Sequence, residues 1–152
     1  GASMMVRRTA IDAVGGLDEA YFLYFEELDF CEKLHRFGWE TWYVPASHVI
    51  HIAGQSSGIT ERGRIAALPA YWYESRRRYF EKNHGVPYAI LTDAVCIPAY
   101  MLGRLKRRLL GKSKENIPGF TRELIKHSTL LHPTRELEPP IEYTKPAAPS
   151  RQ

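Results

Sequence analysis

"YFLYFEELDFCEKLHRFG", residues 21–38, is the stretch on which the reading of the chain turns. Four rings, Tyr21, Phe22, Tyr24 and Phe25, come immediately before Glu26, Glu27 and Asp29. Leu28, Cys31 and Leu34 then repeat at helical spacing and Gly38 closes the run, which predicts a helix over 26–38. Carboxylates in a first helical turn complement the positive end of the helix dipole, by roughly 0.3–1 kcal/mol each when exposed. A solvated helix face would account for the charge. It would not account for the rings, so the neighbouring segments decide.

Upstream, residues 1–8 read as a short strand. "RTAIDAVGG" follows as a helix with Thr9 as N-cap, Ile11 and Val14 on one face and Gly15 as terminator. "LDEAYFLYF" is the connecting loop. Downstream, "WETWYVP" alternates as a strand up to Pro45, and "ASHVIHIAG" is a second strand running into the loop "GQSSG". Residues 59–68 read as a mobile connection. A helix, "AYWYESRRRYFEKNHG", starts at Pro69 and ends at Gly85. Arg76, Arg77 and Arg78 are spread around it and cannot all face one ligand.

From Pro87 to Leu110 the chain is apolar and then basic, ending in "RLKRRLLGK". Asp93 and Pro98 interrupt the apolar part, which falls short of the roughly 20 clean residues of a membrane span. A kinked helix pair lying on a surface is the expectation. An amphipathic helix, "GFTRELIKHSTLL", precedes a proline-rich tail expected to be extended or disordered. The organisation is therefore an α/β unit over 1–68, a helical basic segment over 69–132 and a tail over 133–152.

The 152 residues are 44% hydrophobic and 25% charged, enough apolar material for one ordinary globular domain. Cys31 and Cys96 match no metal-ligand spacing and read as free thiols in a reducing compartment. With Gly1 first and no secretory signal, the sequence reads as a region of a larger protein. The formal charge of +4 conceals a division: residues 1–61 hold four basic and nine acidic groups, whereas residues 62–126 hold fourteen basic and five acidic. An anionic partner is expected at the rear. Nucleic acid is disfavoured, because the acidic front would repel its backbone where the rings are.

His48 and His51 are an odd number of residues apart, so on a strand they point to opposite faces and do not share a metal. His51 is the more informative of the two. It stands just ahead of a glycine- and serine-rich loop whose amides and hydroxyls suit a phosphate, and imidazole can complete an oxygen-rich divalent-metal site.

"GASMMVRR", "VGGLDEAYFLYFEELDFCEKL" and "GWETWYVPASHVIHIAGQSSG", in that order and spacing, resemble the C-terminal half of the catalytic domain of inverting family 2 glycosyltransferases with the Rossmann-like GT-A fold. The nearest likeness is to bacterial rhamnosyltransferase-like members, and it covers residues 1 to about 85. The resemblance implies a C-terminal GT-A part followed by a helical segment, acting in bacterial cell-surface polysaccharide synthesis. It implies Glu27 as general base, where the family more often has aspartate, with Glu26 and Asp29 beside it. His51 would be the metal-contacting histidine for a divalent cation, Mg or Mn.

In that setting one carboxylate suffices, since inverting transfer is a single displacement needing one base. Inverting hydrolases need a second carboxyl as acid. Here a divalent cation would take up the charge of the leaving diphosphate. Tyr21, Phe22, Tyr24 and Phe25 would wall an acceptor sugar. Asp18 and Glu19 either accept hydrogen bonds from acceptor hydroxyls or cap the turn after Gly15 and Gly16. Gln55, Ser56, Ser57, Arg62 and Arg64 would close over the donor diphosphate.

The expected partners are a nucleotide-sugar donor, a glycan or polyprenyl-linked acceptor and an anionic membrane surface, without nucleic acid. The expected location is the cytoplasm, peripheral at the inner face of the plasma membrane. A GT-A enzyme reads its nucleotide with an N-terminal half containing Asp-x-Asp, which these residues lack, so the chain alone is expected to be inactive. The rival class is a non-catalytic module binding anionic membrane or glycan. A hydrolytic metalloenzyme is poorly supported, because no second histidine or carboxylate stands at zinc spacing.

Overall fold

Glycine and proline punctuate the chain, and the helices lie between them. In a computed structural model that describes residues 1, 3–51, 60–61, 64–65, 67–112 and 117–132, five helices form. They are α1 (Arg8–Val14), α2 (Glu26–Arg36), α3 (Ala70–His84), α4 (Val86–Leu109) and α5 (Phe120–Lys126). Pro69 precedes α3 in extended conformation, and Gly85, with φ +83°, separates α3 from α4. A β-carbon is strained at that angle, so glycine permits two helices to follow each other without a linker. The expected tail, 133–152, lies outside the described residues.

The helices were legible and the strands were not. Residues 3–7, 39–44 and 47–51 are extended or bent but pair with nothing, so neither strand expected before Gln55 forms among the described residues. Extended backbone becomes a strand only when a ladder takes up its N–H and C=O groups, and no partner stands beside these segments. Their apolar side chains are correspondingly bare: Trp42, Tyr43 and Ile50 are 77%, 88% and 94% exposed. The expected mobile connection instead contains β1 (Thr60–Glu61) and β2 (Arg64–Ile65), an antiparallel pair with Thr60 opposite Ile65 and Glu61 opposite Arg64.

Three helix details also differ from the sequence reading. Arg7, not Thr9, is the N-cap of α1, and no side chain caps the helix. The buried face of α2 carries Asp29, Phe30 and Leu34, whereas Leu28 is exposed, because the helix packs on two sides at once. The kinked pair after Pro87 is one continuous helix, α4, with Pro98 inside it. Proline there removes one backbone bond. Packing on both sides of it, through Cys96, Ile97 and Tyr100 against Tyr73 and Phe120, holds the helix together.

Apolar burial is divided in two. Ala10, Val14, Phe30 and Leu34 form one cluster between α1 and α2, extended by Val6, Ile11, Phe37 and Trp39. Tyr73, Phe120 and Leu124 form the other among α3, α4 and α5, extended by Leu68, Trp72 and Ile117. Ions and rings join them. Arg36 donates from Nη2 to the Asn83 carbonyl at 2.7 Å, and Phe25 packs edge-on to Trp72 at 5.7 Å between centroids. As the residue order requires, the three consecutive arginines diverge. Arg76 reaches Asp93 on α4, Arg77 lies 4.0 Å from Glu81 on its own helix, and Arg78 reaches Asp18 in the loop before α2.

Candidate functional site

The junction between the aromatic loop and α2 is built by an unusual backbone. Tyr24 and Phe25 both have positive φ, 69° and 67°, and no other non-glycine residue does among those described. Such a conformation costs of order 1–3 kcal/mol per residue and persists only when the surroundings impose it. Here α3 imposes it. Tyr24 stacks on Tyr71 with 6.2 Å between centroids and 9° between planes, Phe25 is held by Trp72 and Tyr79, and Ser75 Oγ donates to the Leu23 carbonyl at 3.0 Å.

The turn delivers Glu26 and Glu27 to the first turn of α2. In each, Oε2 is buried and has no hydrogen-bond partner. Glu27 keeps 29% of its side chain exposed, and its Oε1 lies 3.4 Å from the Gly1 nitrogen, so the N-terminal segment runs beside it. A buried, unpaired carboxylate oxygen is costly and calls for a cation, a proton or a ligand hydroxyl.

Asp29 does something else. It is 2% exposed, and its oxygens accept from Tyr21 Oη at 3.3 Å, Asn83 Nδ2 at 2.7 Å and Lys82 Nζ at 2.7 Å. A carboxylate so enclosed and so fully partnered does not contact an acceptor; it fastens α2 to α3. Asp18 is likewise engaged, accepting from Arg78 Nη2 and Lys82 Nζ, both at 2.8 Å, and from the Ala20 N–H at 2.9 Å. Of the two roles left open for it, the turn cap is the one it fills. Glu19 is exposed and Tyr24 half-buried, and both remain at the surface.

The ring wall is smaller than four residues. Tyr21 is buried beneath Arg78 and Lys82, 5.4 and 5.8 Å from its centroid, and Phe25 packs inward. Phe22 is 79% exposed, meets Tyr71 edge-on at 5.2 Å, and with Tyr24 leaves a three-ring surface beside the carboxylates in sequence. Tyr71, Ser75, Arg78, Lys82 and Asn83 escaped the sequence reading. Only the cluster of polar and aromatic residues on one helix hinted at them.

Charge fixes this layer. Burial raises the Asp18 carboxyl, but hydrogen bonds from Lys82, Arg78 and the Ala20 amide outweigh it and hold the group down at about 2. Burial lowers the Lys82 ammonium, and its bonds to Asp18 and Asp29 outweigh that in turn, leaving it above its ordinary value. Burial, and then the charge of Asp29, push the Tyr21 hydroxyl well above the usual phenol range. A depressed carboxyl adds stability that is complete above about pH 4 and is lost as pH falls toward 2; the raised ammonium adds stability that is lost only when pH climbs past its folded-state value. Thermal melts between pH 7 and pH 2 should therefore show an acid decline that is shallower in Asp18→Asn. Parallel declines in the two proteins would deny Asp18 this role.

His51 is exposed at the end of the described segment, and His48 is exposed too. No three His, Cys, Asp or Glu side chains converge as a metal site among the described residues, so the residues present do not fit a cation at His51. Gln55, Ser56, Ser57 and Arg62 lie outside the described residues, as does the side chain of Arg64, placed only as backbone in β2.

Over 67 residues the chain is 40% identical to the N-acetylglucosaminyl-diphospho-decaprenol L-rhamnosyltransferase of Mycobacterium tuberculosis, in both strains CDC 1551 / Oshkosh and ATCC 25618 / H37Rv. That covers 44% of this chain and 22% of the relative. It is 43% identical over 53 residues to Rhamnosyltransferase WbbL of Escherichia coli K12, covering 35% of this chain and 20% of that one. The chain thus spans about a fifth of the length of the curated relatives it matches. No protein-family model matches, and no solved structure does. These likenesses support a rhamnosyltransferase-like glycosyltransferase.

Proposed function

We propose that the chain is the acceptor side of an inverting, GT-A-type family 2 glycosyltransferase that passes rhamnose from a nucleotide sugar to a polyprenyl-diphosphate-linked glycan. The work would belong to cell-surface glycan synthesis at the cytoplasmic face of the membrane. One observation carries the reading: at the start of α2, Glu26 and Glu27 each hold a buried carboxylate oxygen without a partner. A relative named for a diphospho-decaprenol acceptor supports the substrate class.

Glu27 is the base. An acceptor hydroxyl seated at its open side gives its proton to the carboxylate as the oxygen attacks the anomeric carbon, and the bond to the nucleoside diphosphate breaks with its electron pair leaving on the diphosphate. The helix N-terminus favours negative charge at that carboxylate before the transfer. Phe22, Tyr24 and Tyr71 offer ring faces to the apolar side of the acceptor sugar. Asp18, Asp29, Arg78 and Lys82 hold the loop without touching substrate. No step is routed through a divalent cation.

The reading is tested by supplying the complete protein with a nucleoside-diphosphate rhamnose and N-acetylglucosaminyl-diphospho-polyprenol. A rhamnose-extended lipid is expected, and the 152-residue chain alone should make none. Glycan binding without transfer in the complete protein would favour the non-catalytic module instead.

A further inference from the structure

α4 has two apolar stripes and only one is covered. Ala89 and Asp93 are buried against the rest of the molecule, with Cys96, Ile97 and Tyr100 half-buried beside them. On the opposite side Tyr88, Leu91, Val95, Pro98, Leu102, Leu105 and Leu109 recur at alternating spacings of three and four, and all are exposed, from 46% at Tyr88 to 79% at Leu109. That spacing keeps them on one line along a helix about 36 Å long.

Charge says what covers the line. The only carboxylate of α4 is Asp93, which is buried and paired with Arg76. The exposed surface of the helix is therefore free of negative charge, and it ends in Arg104, Lys106 and Arg108, followed by Lys112, all exposed. Lys106 and Arg108 flank the stripe, where long stems can lie along an apolar layer with the charge lifted clear of it. We propose that this face of α4 lies in the plane of an anionic lipid bilayer, with the leucine line among the acyl chains and the basic end at the headgroups.

Two other occupants fit less well. A second copy of the chain would bring this cationic face against itself, with no carboxylate on α4 to answer it. A membrane span is long enough at 24 residues, but α4 packs along its length on α3 and α5 and carries the buried Asp93. Surrounding it with lipid would strip away those contacts.

The proposal is independent of sugar transfer and is read without it. The full chain is mixed with vesicles of phosphatidylcholine alone or of phosphatidylcholine with phosphatidylglycerol, and binding is followed by sedimentation. Binding to the anionic vesicles is expected, weakened by salt and released at alkaline pH. Leu102→Glu with Leu105→Glu should lower partitioning at least about tenfold. Replacing Arg104, Lys106 and Arg108 by Ala should lower it by about a hundredfold on anionic vesicles only. All these positions are solvent-exposed, and circular dichroism checks that the variants remain helical. Unchanged binding by the glutamate variant, absence of binding to anionic vesicles, retention in the bilayer at alkaline pH, or a dimer that the glutamate variant separates would each overturn the proposal. Loss of rhamnosyl transfer by the complete protein would leave the vesicle result standing.

Discussion

Glu27→Gln in the complete protein should lower kcat for sugar transfer by about 10²–10⁴-fold, the range a positioned general base supplies. The amide keeps the shape of the side chain and its place in the first turn of α2, so folding and acceptor affinity should change little. A structural carboxylate would show the opposite pattern, with stability falling and the surviving molecules active. Glu27→Asp retracts the oxygen by one methylene and should retain part of the rate. Glu26→Gln, which alters the neighbouring unpaired oxygen, separates a requirement for this one carboxylate from a requirement for negative charge at the helix start. Equal rates for Glu27→Gln and the parent protein would remove the mechanism.

The second large effect is on stability. Asp93 is 2% exposed; one oxygen takes the Arg76 guanidinium and the other the Thr129 N–H at 3.1 Å, so a single side chain ties α4 to α3 and to the turn after α5. Arg76 is itself buried, over the Phe80 ring at 5.0 Å. Asp93→Ala leaves that cation buried and unpaired and should cost about 3–5 kcal/mol, read as a lower urea midpoint. Domains are commonly stable by only about 5–15 kcal/mol, so much of the variant should be unfolded at ambient temperature. The double change Arg76→Leu with Asp93→Leu removes both charges and should recover most of the loss. If the single variant melts like the parent, the pair is not a tie.

Where the sequence was legible, the determinant was local. Pro69 and Gly85 bracket α3 as a first-turn rule and a positive-φ rule require, and Glu26 opens α2 where carboxylates suit a helix start. The strands were not legible, since alternation in "WETWYVP" records a preference for a ladder, not the presence of one. The backbone at Tyr24 and Phe25 was not either, because ring residues oppose that conformation and only α3, some 50 residues on, imposes it. The same distance hid Asp18: its partners Arg78 and Lys82 stand 60 and 64 residues away, and a carboxylate after two glycines looks equally like a cap or a ligand. The Glu27 assignment came from resemblance, and what the fold adds is an oxygen without a partner. Asp93, which looked like an interruption of an apolar run, faces inward to Arg76, leaving the outer side of that run apolar.

The division of the apolar interior into two clusters bears on how the molecule opens. Burial within one cluster is cooperative, whereas the ionic layer between the clusters can come apart with both still packed, since water can solvate the released charges. α1 and α2 therefore constitute one unfolding unit and α3, α4 and α5 another, each with its own free energy of opening. The smaller unit carries Glu26 and Glu27. A carboxylate pair meant to receive a bulky lipid-borne sugar thus stands on the part of the chain that can move away from the rest without dismantling it.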